Sequence, residues 1–421
     1  MNFLSKILDP SKSAKNCAVA LDIGTETVKA LVFKIDLKEE RGVVVGVGKE
    51  HHKTGNFQSG MLVDIDGVVA ACREAIEKAS RTAKLNPKKV IVSAGGEFIK
   101  GKTTTVAYER AKPEMKVSPA ELKNIIHKVQ WKAFDMIKRE LARETGNRMA
   151  EIKLINAAIL GIKIDGYPVS NPLGFQGKDI SISIFNTYAL LIHMGALQSV
   201  IDNLGLDLLD IVAEPRAIAK AVGKREGSDS DVILINVGGE TTDIILACNG
   251  NIEETRTFSL GGKAFTERLA QELGISPQKA EEIKIDYSQS RLNKELSGKI
   301  EKVFSADGDV WLSGVELSLN EFSEIDLLPS KILLSGGGSI LPGLKKALGK
   351  TSWTKNLPFA RKPKVSFALP SEVVNILDET GELDSPQDIT AMGLVSIALD
   401  LAKKEESLSK ILKRVTRMVQ S

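Results

Sequence analysis

The strongest constraint in this sequence is a strand–turn–strand phrase that occurs in both halves of the chain. In the first half, apolar Cys17 to Ile23 leads into Gly24-Thr25-Glu26-Thr27, and an alternating run resumes from Val28 to Ile35. In the second, Asp231 to Val237 leads into Gly238-Gly239-Glu240-Thr241-Thr242, and Asp243 to Cys248 follows. Short apolar runs broken by glycine-containing turns read as β-hairpins. The first hairpin continues with a β-like run at 42–49, a helical period over 67–85 (Val68, Val69, Ala71, Cys72, Ala75, Ile76, Ala79) and a short buried strand at 89–94. The second continues with a strand at 252–258, a helix at 263–274, a strand at 331–334, the turn Gly336-Gly337-Gly338 and a helix at 344–348. A β-β-β-α-β series differs from a Rossmann unit, where a helix follows the first strand. Two halves that open alike form a structural repeat, and such halves face each other across a cleft.

Between the halves lies a block of another kind. Ser118 is placed to cap a long helix to about residue 144, with Pro119 at its first position and Glu121 at its third. Leu122, Ile125, Ile126, Val129, Ala133, Met136, Ile137 and Leu141 mark one face, expected to cover the block's own strands at 152–164 and 179–185. The stretch 289–325 reads as mixed, and 371–389 as an acidic loop.

A length of 421 residues implies more than one domain. Lys plus Arg total 57 against 54 Asp plus Glu, a balance that excludes a general polyanion binder and predicts no nucleic-acid partner. Cys17, Cys72 and Cys248 stand far apart among apolar neighbours and read as core residues in a reducing compartment. No apolar run reaches the roughly 20 residues that span a bilayer, and the N-terminus lacks signal-peptide features, so a cytoplasmic protein is expected.

The glycine turns carry the chemistry. Glycine lets a backbone approach an anion closely, and turn N–H groups with threonine hydroxyls bind phosphate oxygens. A strand-end Asp such as Asp22 can hold Mg²⁺ through water. A turn of three glycines, Gly336 to Gly338, presents only backbone and can lie flat against a base or phosphate.

The order and spacing of these turns resemble the actin–Hsp70–FtsA ATPase superfamily, and within it the FtsA family. Leu21 to Thr25 is similar to the first phosphate loop, with Asp22 as the metal-side acid and Gly24 and Thr25 as phosphate contacts. Asn236 to Asp243 is similar to the second, which assigns phosphate contacts to Gly238, Gly239, Thr241 and Thr242. Ala213-Glu214-Pro215-Arg216-Ala217 resembles the first connecting segment, where Glu214 would orient the attacking water. Ala280 to Lys284 resembles the helix whose Glu281 and Lys284 contact the adenosine, and Leu334 to Gly338 the adenosine loop. Ile389 to Leu394 resembles the second connecting helix. Ser259 to Thr266, with Gly262, is similar to the Gly-Gly…Thr run of FtsA proteins, and Asn171 to Gly177 to a run in their inserted subdomain.

The resemblance implies an α/β actin-like ATPase fold of two ribonuclease-H-like halves around a nucleotide cleft, with an SHS2-like insert. Its expected domains are an N-terminal segment (1–15), subdomain 1A (16–100, continued at 191–229 and 390–402), the insert 1C (101–190), subdomains 2A/2B (230–389), and a linker with terminal helix (403–421). It further implies ATP and Mg²⁺ as cofactors, self-association, a tubulin-like division protein as partner, and other division proteins at the insert. Two departures bear on turnover. Asn236 stands where the family has Asp and removes a charge from the metal side, and Glu240 stands where glycine is usual. Slow or absent hydrolysis is the expectation, with Asp22, Glu214 and Asn236 as the catalytic set.

The end of the chain adds a membrane reading. Leu408, Ile411, Leu412, Val415, Met418 and Val419 fall on one helical face, and Lys410, Lys413, Arg414 and Arg417 on the rest. A basic amphipathic helix of this kind lies on anionic lipid, here the inner face of the cell membrane at the division site. Leu4-Ser5-Lys6-Ile7-Leu8 repeats Leu408 to Leu412 near the start, as a second weak anchor or as packing, disorder or a start-site artefact. A PilM-like scaffold of a type IV pilus platform is the alternative. The basic terminal helix separates the two, because such a scaffold binds through a membrane partner. An Hsp70-like chaperone lacks support, since no sandwich-sized segment follows residue 402.

Overall fold

A computed structural model describes residues 17–53, 55–58, 60–96, 99–144, 151–223, 231–248, 251–322 and 325–403. The segments Leu4–Leu8 and Leu408–Val419, read above as membrane anchors, lie outside the described residues.

The first hairpin is β1 (Cys17–Ile23) and β2 (Thr27–Asp36), antiparallel, with β3 (Arg41–His51) beside β2. Every residue of β1 is buried, which explains its apolar run from Cys17 to Leu21: helices cover both faces of the sheet. Helix α1 (Ile65–Ala83) follows, capped by the Asp64 carboxylate on the Gly67 N–H at 3.0 Å. Strand β4 (Lys89–Ala94) returns parallel to β1.

The chain then builds a separate layer from β5 (Ile99–Glu109), α2 (Pro119–Glu144), β6 (Ile152–Ile164) and β7 (Asp179–Leu190). The Glu121 N–H donates to Ser118 Oγ at 3.2 Å, the cap the sequence points to. Ile125 and Val129 of α2 pack on Ile162, Ile180, Ile182 and Ile184. Met136 and Trp131 point outward, the latter 72% exposed. Arg110 forks onto Glu121 at 2.8 and 2.9 Å and also donates to the Gly177 carbonyl, fastening the 171–177 turn to the helix.

Helix α3 (Leu191–Leu204), strand β8 (Asp207–Ala213) and helix α4 (Glu214–Val222) complete the first half. The second half repeats its order: β9 (Val232–Val237), β10 (Thr242–Cys248) and β11 (Asn251–Phe258). Next come α5 (Gly262–Leu273), α6 (Pro277–Ser288) and α7 (Lys294–Asn320). Strand β12 (Lys331–Ser335), α8 (Pro342–Leu348) and β13 (Lys364–Phe367) follow. Strand β14 (Ile376–Asp378) returns to pair with β3, and helix α9 spans 389–403.

Sheet topology makes the repeat explicit. One sheet runs β8-β4-β1-β2-β3-β14, and in the other β13-β12-β9-β10-β11 repeats the first five positions. The second sheet continues into β5, β7 and β6 through the Glu254–Lys102 pairing, so the middle layer is joined to it edge to edge. Helices α4 and α9 lie between the halves in a core that includes Ala217, Ile218, Met392 and Val395 with Ala20, Leu234 and Ile245. They cross closely: a Cβ on Gly393 would sit 2.0 Å from the Ala217 carbonyl oxygen.

Three segments differ from the sequence reading, the first being the acidic stretch 371–389, which holds the short strand β14. The mixed stretch 289–325 holds one long helix, α7, despite Gly298, Gly308 and Gly314. Ile300, Phe304, Trp311, Leu312, Val315 and Leu319 are buried against the second sheet and outweigh a propensity cost of about 1 kcal/mol per glycine. Strand β5, polar through Lys100-Gly101-Lys102-Thr103-Thr104-Thr105, had no apolar alternation to reveal it.

Candidate functional site

The two hairpin turns and the triple-glycine turn converge on one cavity of about 330 Å³ between the halves. Asp22, Gly24, Thr25, Glu214, Asn236, Gly238, Gly239, Thr241, Gly262, Glu281, Lys284, Gly336, Gly337 and Gly338 all line it. Each turn is closed by its own backbone: the Gly24 N–H donates to the Thr27 carbonyl at 3.2 Å, and that of Gly238 to Thr241 at 2.8 Å. The second turn is drawn onto the start of α5, where the Gly262 and Lys263 N–H groups donate to the Gly238 and Gly239 carbonyls at 2.9 and 2.8 Å. The two turns touch: a Cβ on Gly239 would lie 2.4 Å from Glu26 Cγ and 2.6 Å from Thr25 Oγ1. Glycine there permits the halves to meet.

One assignment is corrected. Thr242 does not line the cavity. It is fully buried, its hydroxyl donating to the Leu260 carbonyl at 2.6 Å and accepting from Trp311 Nε1 at 3.0 Å. Successive strand residues face opposite sides, so Thr241 faces the cleft and Thr242 the core.

Behind the turns lies a buried acid cluster. Asp22 accepts from Ser93 Oγ at 2.7 Å and from Lys29 Nζ at 3.2 Å. Asn236 spends its two amide hydrogens on Glu214 Oε1 (3.0 Å) and Asp243 Oδ2 (3.2 Å), and accepts from Ser335 Oγ at 3.3 Å. Asp243 also accepts from Thr257 Oγ1 at 2.7 Å, and Glu214 from Thr390 Oγ1 at 3.3 Å. Burial raises the Glu214 carboxyl, and Asp22 and Asp243 raise it further. Burial likewise lifts Asp243 against the hydrogen bonds from Thr257 and Asn236. Burial pulls the Lys29 ammonium down, but Asp22, Asp388 and Glu214 outweigh it and leave the group raised. Gly95 makes room for this cluster, since a Cβ there would fall 2.1 Å from Glu214 Oε2.

At the other end, Lys284 Nζ contacts the Gly262 carbonyl (2.9 Å), Thr266 Oγ1 (2.7 Å) and Glu281 Oε2 (2.7 Å). It therefore braces the start of α5 as well as lining the cavity. Ile285, Ile340 and Leu341 give this end an apolar wall.

Ser93, Gln387, the Lys29 contact to Asp22 and Lys263 as the Glu240 partner escaped sequence reasoning. Lys29 sits directly across β1–β2 from Asp22, a register that follows only once the turn length is known. Glu240, the carboxylate that stands where glycine is usual, is paired with Lys263 at 2.7 Å.

The raised carboxyls set a pH dependence. A group whose folded pKa lies above its unfolded value keeps its proton only in the fold, so stability falls as pH rises beyond the unfolded value. The ligand-free protein is thus expected to lose stability as pH climbs above about 4.5, the ordinary value for Glu214. Urea midpoints from pH 5 upward should show this slope, and Glu214→Gln should flatten it. An equal slope in the variant would show that Glu214 is not its source.

Comparisons with known proteins bear on this arrangement. The family model described as cell division protein FtsA matches residues 233–393. The chain is 26% identical to the cell division protein FtsA of Pseudomonas aeruginosa over 347 residues, 77% of this chain and 78% of that one. It is 25% identical to the cell division protein FtsA of Neisseria meningitidis serogroup B over 403 residues, 90% of each. Among solved structures, a PilM–PilN type IV pilus biogenesis complex contains a chain that superposes with a TM-score of 0.66 at 19% identity, covering 91% of this chain and 98% of that one. That likeness concerns the fold alone. In sequence the chain is thus similar to the FtsA cell-division proteins, and its fold is the actin-like one.

Proposed function

We propose that the chain binds Mg-ATP in this cleft and acts in cell division as a self-associating protein that links the tubulin-like division ring to the inner face of the cell membrane. The observation that carries the nucleotide reading is the meeting of three glycine turns, one from each hairpin and Gly336–Gly338, around one cavity with Lys263 and Lys284 on its wall. The hairpin turns suit phosphates, and the end lined by Ile285, Ile340 and Leu341 suits a base.

Among the described residues no group of three or more His, Cys, Asp or Glu could hold a metal ion. Magnesium nevertheless fits. It retains several waters and binds through phosphate oxygens with one or two carboxylates, and the oxygens of the buried Asp22 and the half-buried Glu214 supply the hard acceptors. When bound, the ion would offset the charge of the transferred phosphate. Asp22, held by Lys29 and Ser93, would accept hydrogen bonds from metal-bound water. Glu214, at the start of α4, would orient an attacking water once deprotonated. Its raised pKa and the neutral Asn236 favour slow turnover.

Among the described residues no helix is long and apolar enough to cross a membrane. The anchor in this proposal is the basic apolar segment Leu408–Val419. Division partners would meet the outward surface of the middle layer, where Trp131 is exposed. Titration calorimetry with ATP and Mg²⁺, followed by liposome sedimentation of the full chain and of a chain ending at residue 406, tests both parts. Binding of ATP by both chains, with only the full chain sedimenting on anionic lipid, is expected. Absence of heat with ATP would overturn the nucleotide reading. Equal sedimentation would remove the terminal segment as anchor.

A further inference from the structure

Glu240 stands at the tip of the second-half turn, yet its carboxylate does not line the cavity. It reaches from the second half to the first, beside the cavity that Gly60 and Lys263 line. One oxygen accepts from the backbone N–H of Gly60 in the first half, and the other pairs with Lys263 Nζ at 2.7 Å. The Glu240 side chain is 11% exposed and Gly60 is buried, which shields the contact between them, whereas Lys263 is 39% exposed. Gly60 leads into the second strand of the short hairpin that pairs Phe57–Gln58 with Met61–Leu62, and the Asn56 carbonyl accepts from Val63 and Asp64 at 3.0 and 3.3 Å. Beside this bridge, Gly239 rests on Thr25 and Glu26. The halves therefore meet at two adjacent points, one steric and one charge-assisted.

Closure of a two-half cleft usually draws on the ligand that both halves grip. Here a side chain of the chain itself spans the gap, and its second oxygen is held by Lys263, a cation that also faces the cavity. We infer that Glu240 is a latch: by joining the second-half turn to Gly60 it holds the cleft mouth closed without nucleotide, and so governs how fast a ligand enters. The inference shares the site of the nucleotide reading, but the closure itself needs no ligand.

Hydrogen exchange on the ligand-free full chain tests it. Glu240→Gly, which removes the carboxylate, should speed exchange at Gly60 by roughly tenfold or more, as expected for loss of a shielded charge-assisted bond. Glu240→Gln keeps an acceptor without the charge and should fall between. Exchange within α1 should be unchanged in both variants, which separates unlatching from general loss of fold. Association of a fluorescent ADP should be faster in Glu240→Gly than in the parent. Unchanged exchange at Gly60 in both variants overturns the latch whatever binds in the cleft. Absence of nucleotide binding by the parent overturns the nucleotide reading and leaves the latch to be decided by the ligand-free exchange.

Discussion

Replacing Asn236 by Asp is expected to cost the ligand-free protein about 3 kcal/mol or more, and to make its stability depend on Mg²⁺ and nucleotide. The amide is 2% exposed and is the donor that both Glu214 and Asp243 use. An aspartate there would exchange two donated hydrogen bonds for a third carboxylate facing two whose proton affinity is already raised. Like charges at this spacing in a buried site do not all ionise, so one of the three would hold a proton instead. The loss should therefore grow with pH, because holding that proton becomes harder as pH rises above the ordinary carboxylate range. A bound divalent cation adds the missing positive charge, so Mg²⁺ with nucleotide should restore much of the loss. Hydrolysis should then rise, since a carboxylate in this turn helps fix the metal. Urea denaturation at pH 5 and pH 8, with and without Mg-ATP, reads the effect. Equal midpoints for parent and variant at both pH values would show that Asn236 is not a charge-neutral bridge.

The same cluster shows how far the sequence reaches. The turns at Gly24-Thr25 and Gly238-Gly239 were legible because glycine and threonine between apolar runs are a local signal. The repeat that they open was legible for the same reason. The charge arrangement around them was not, because it is set by contacts that sequence spacing does not encode. Lys29 meets Asp22 through strand register, and Lys263 meets Glu240 because α5 docks on the turn carbonyls. Thr242 was misplaced because a motif gives the order of residues and not the strand face each one takes; Trp311, on a helix far along the chain, claims its hydroxyl. That helix, α7, was itself hidden by its glycines and by Asp307 and Asp309, and only burial against the second sheet accounts for it.

The second large effect is expected at Gly337, and the neighbouring glycines show why that position isolates binding from folding. A Cβ on Gly336 would lie 2.4 Å from the Val237 carbonyl oxygen, and one on Gly338 would lie 2.6 Å from Val237 Cγ1, so substitution at either disturbs the packing of the turn. At Gly337 the nearest atom is Gln387 Oε1, 3.9 Å away, which is ordinary contact. Gly337 also lines the cavity, so Asp there places a carboxylate in the cleft without forcing the backbone. A polyanionic ligand seated on this turn would then meet a like charge at close range, a repulsion of about 4 kcal/mol at ~4 Å for an effective dielectric of roughly 20. Loss of affinity for Mg-ATP of about a hundredfold or more is expected, near 3 kcal/mol. Gly337→Ala adds a methyl group and no charge, and should bind within about tenfold of the parent. Urea midpoints of both variants should match the parent, which shows that the fold is intact. If Gly337→Asp binds ATP as the parent does, the triple-glycine turn does not face the nucleotide. The ligand would then have to sit nearer Gly24 and Gly238, away from the apolar wall of Ile285, Ile340 and Leu341.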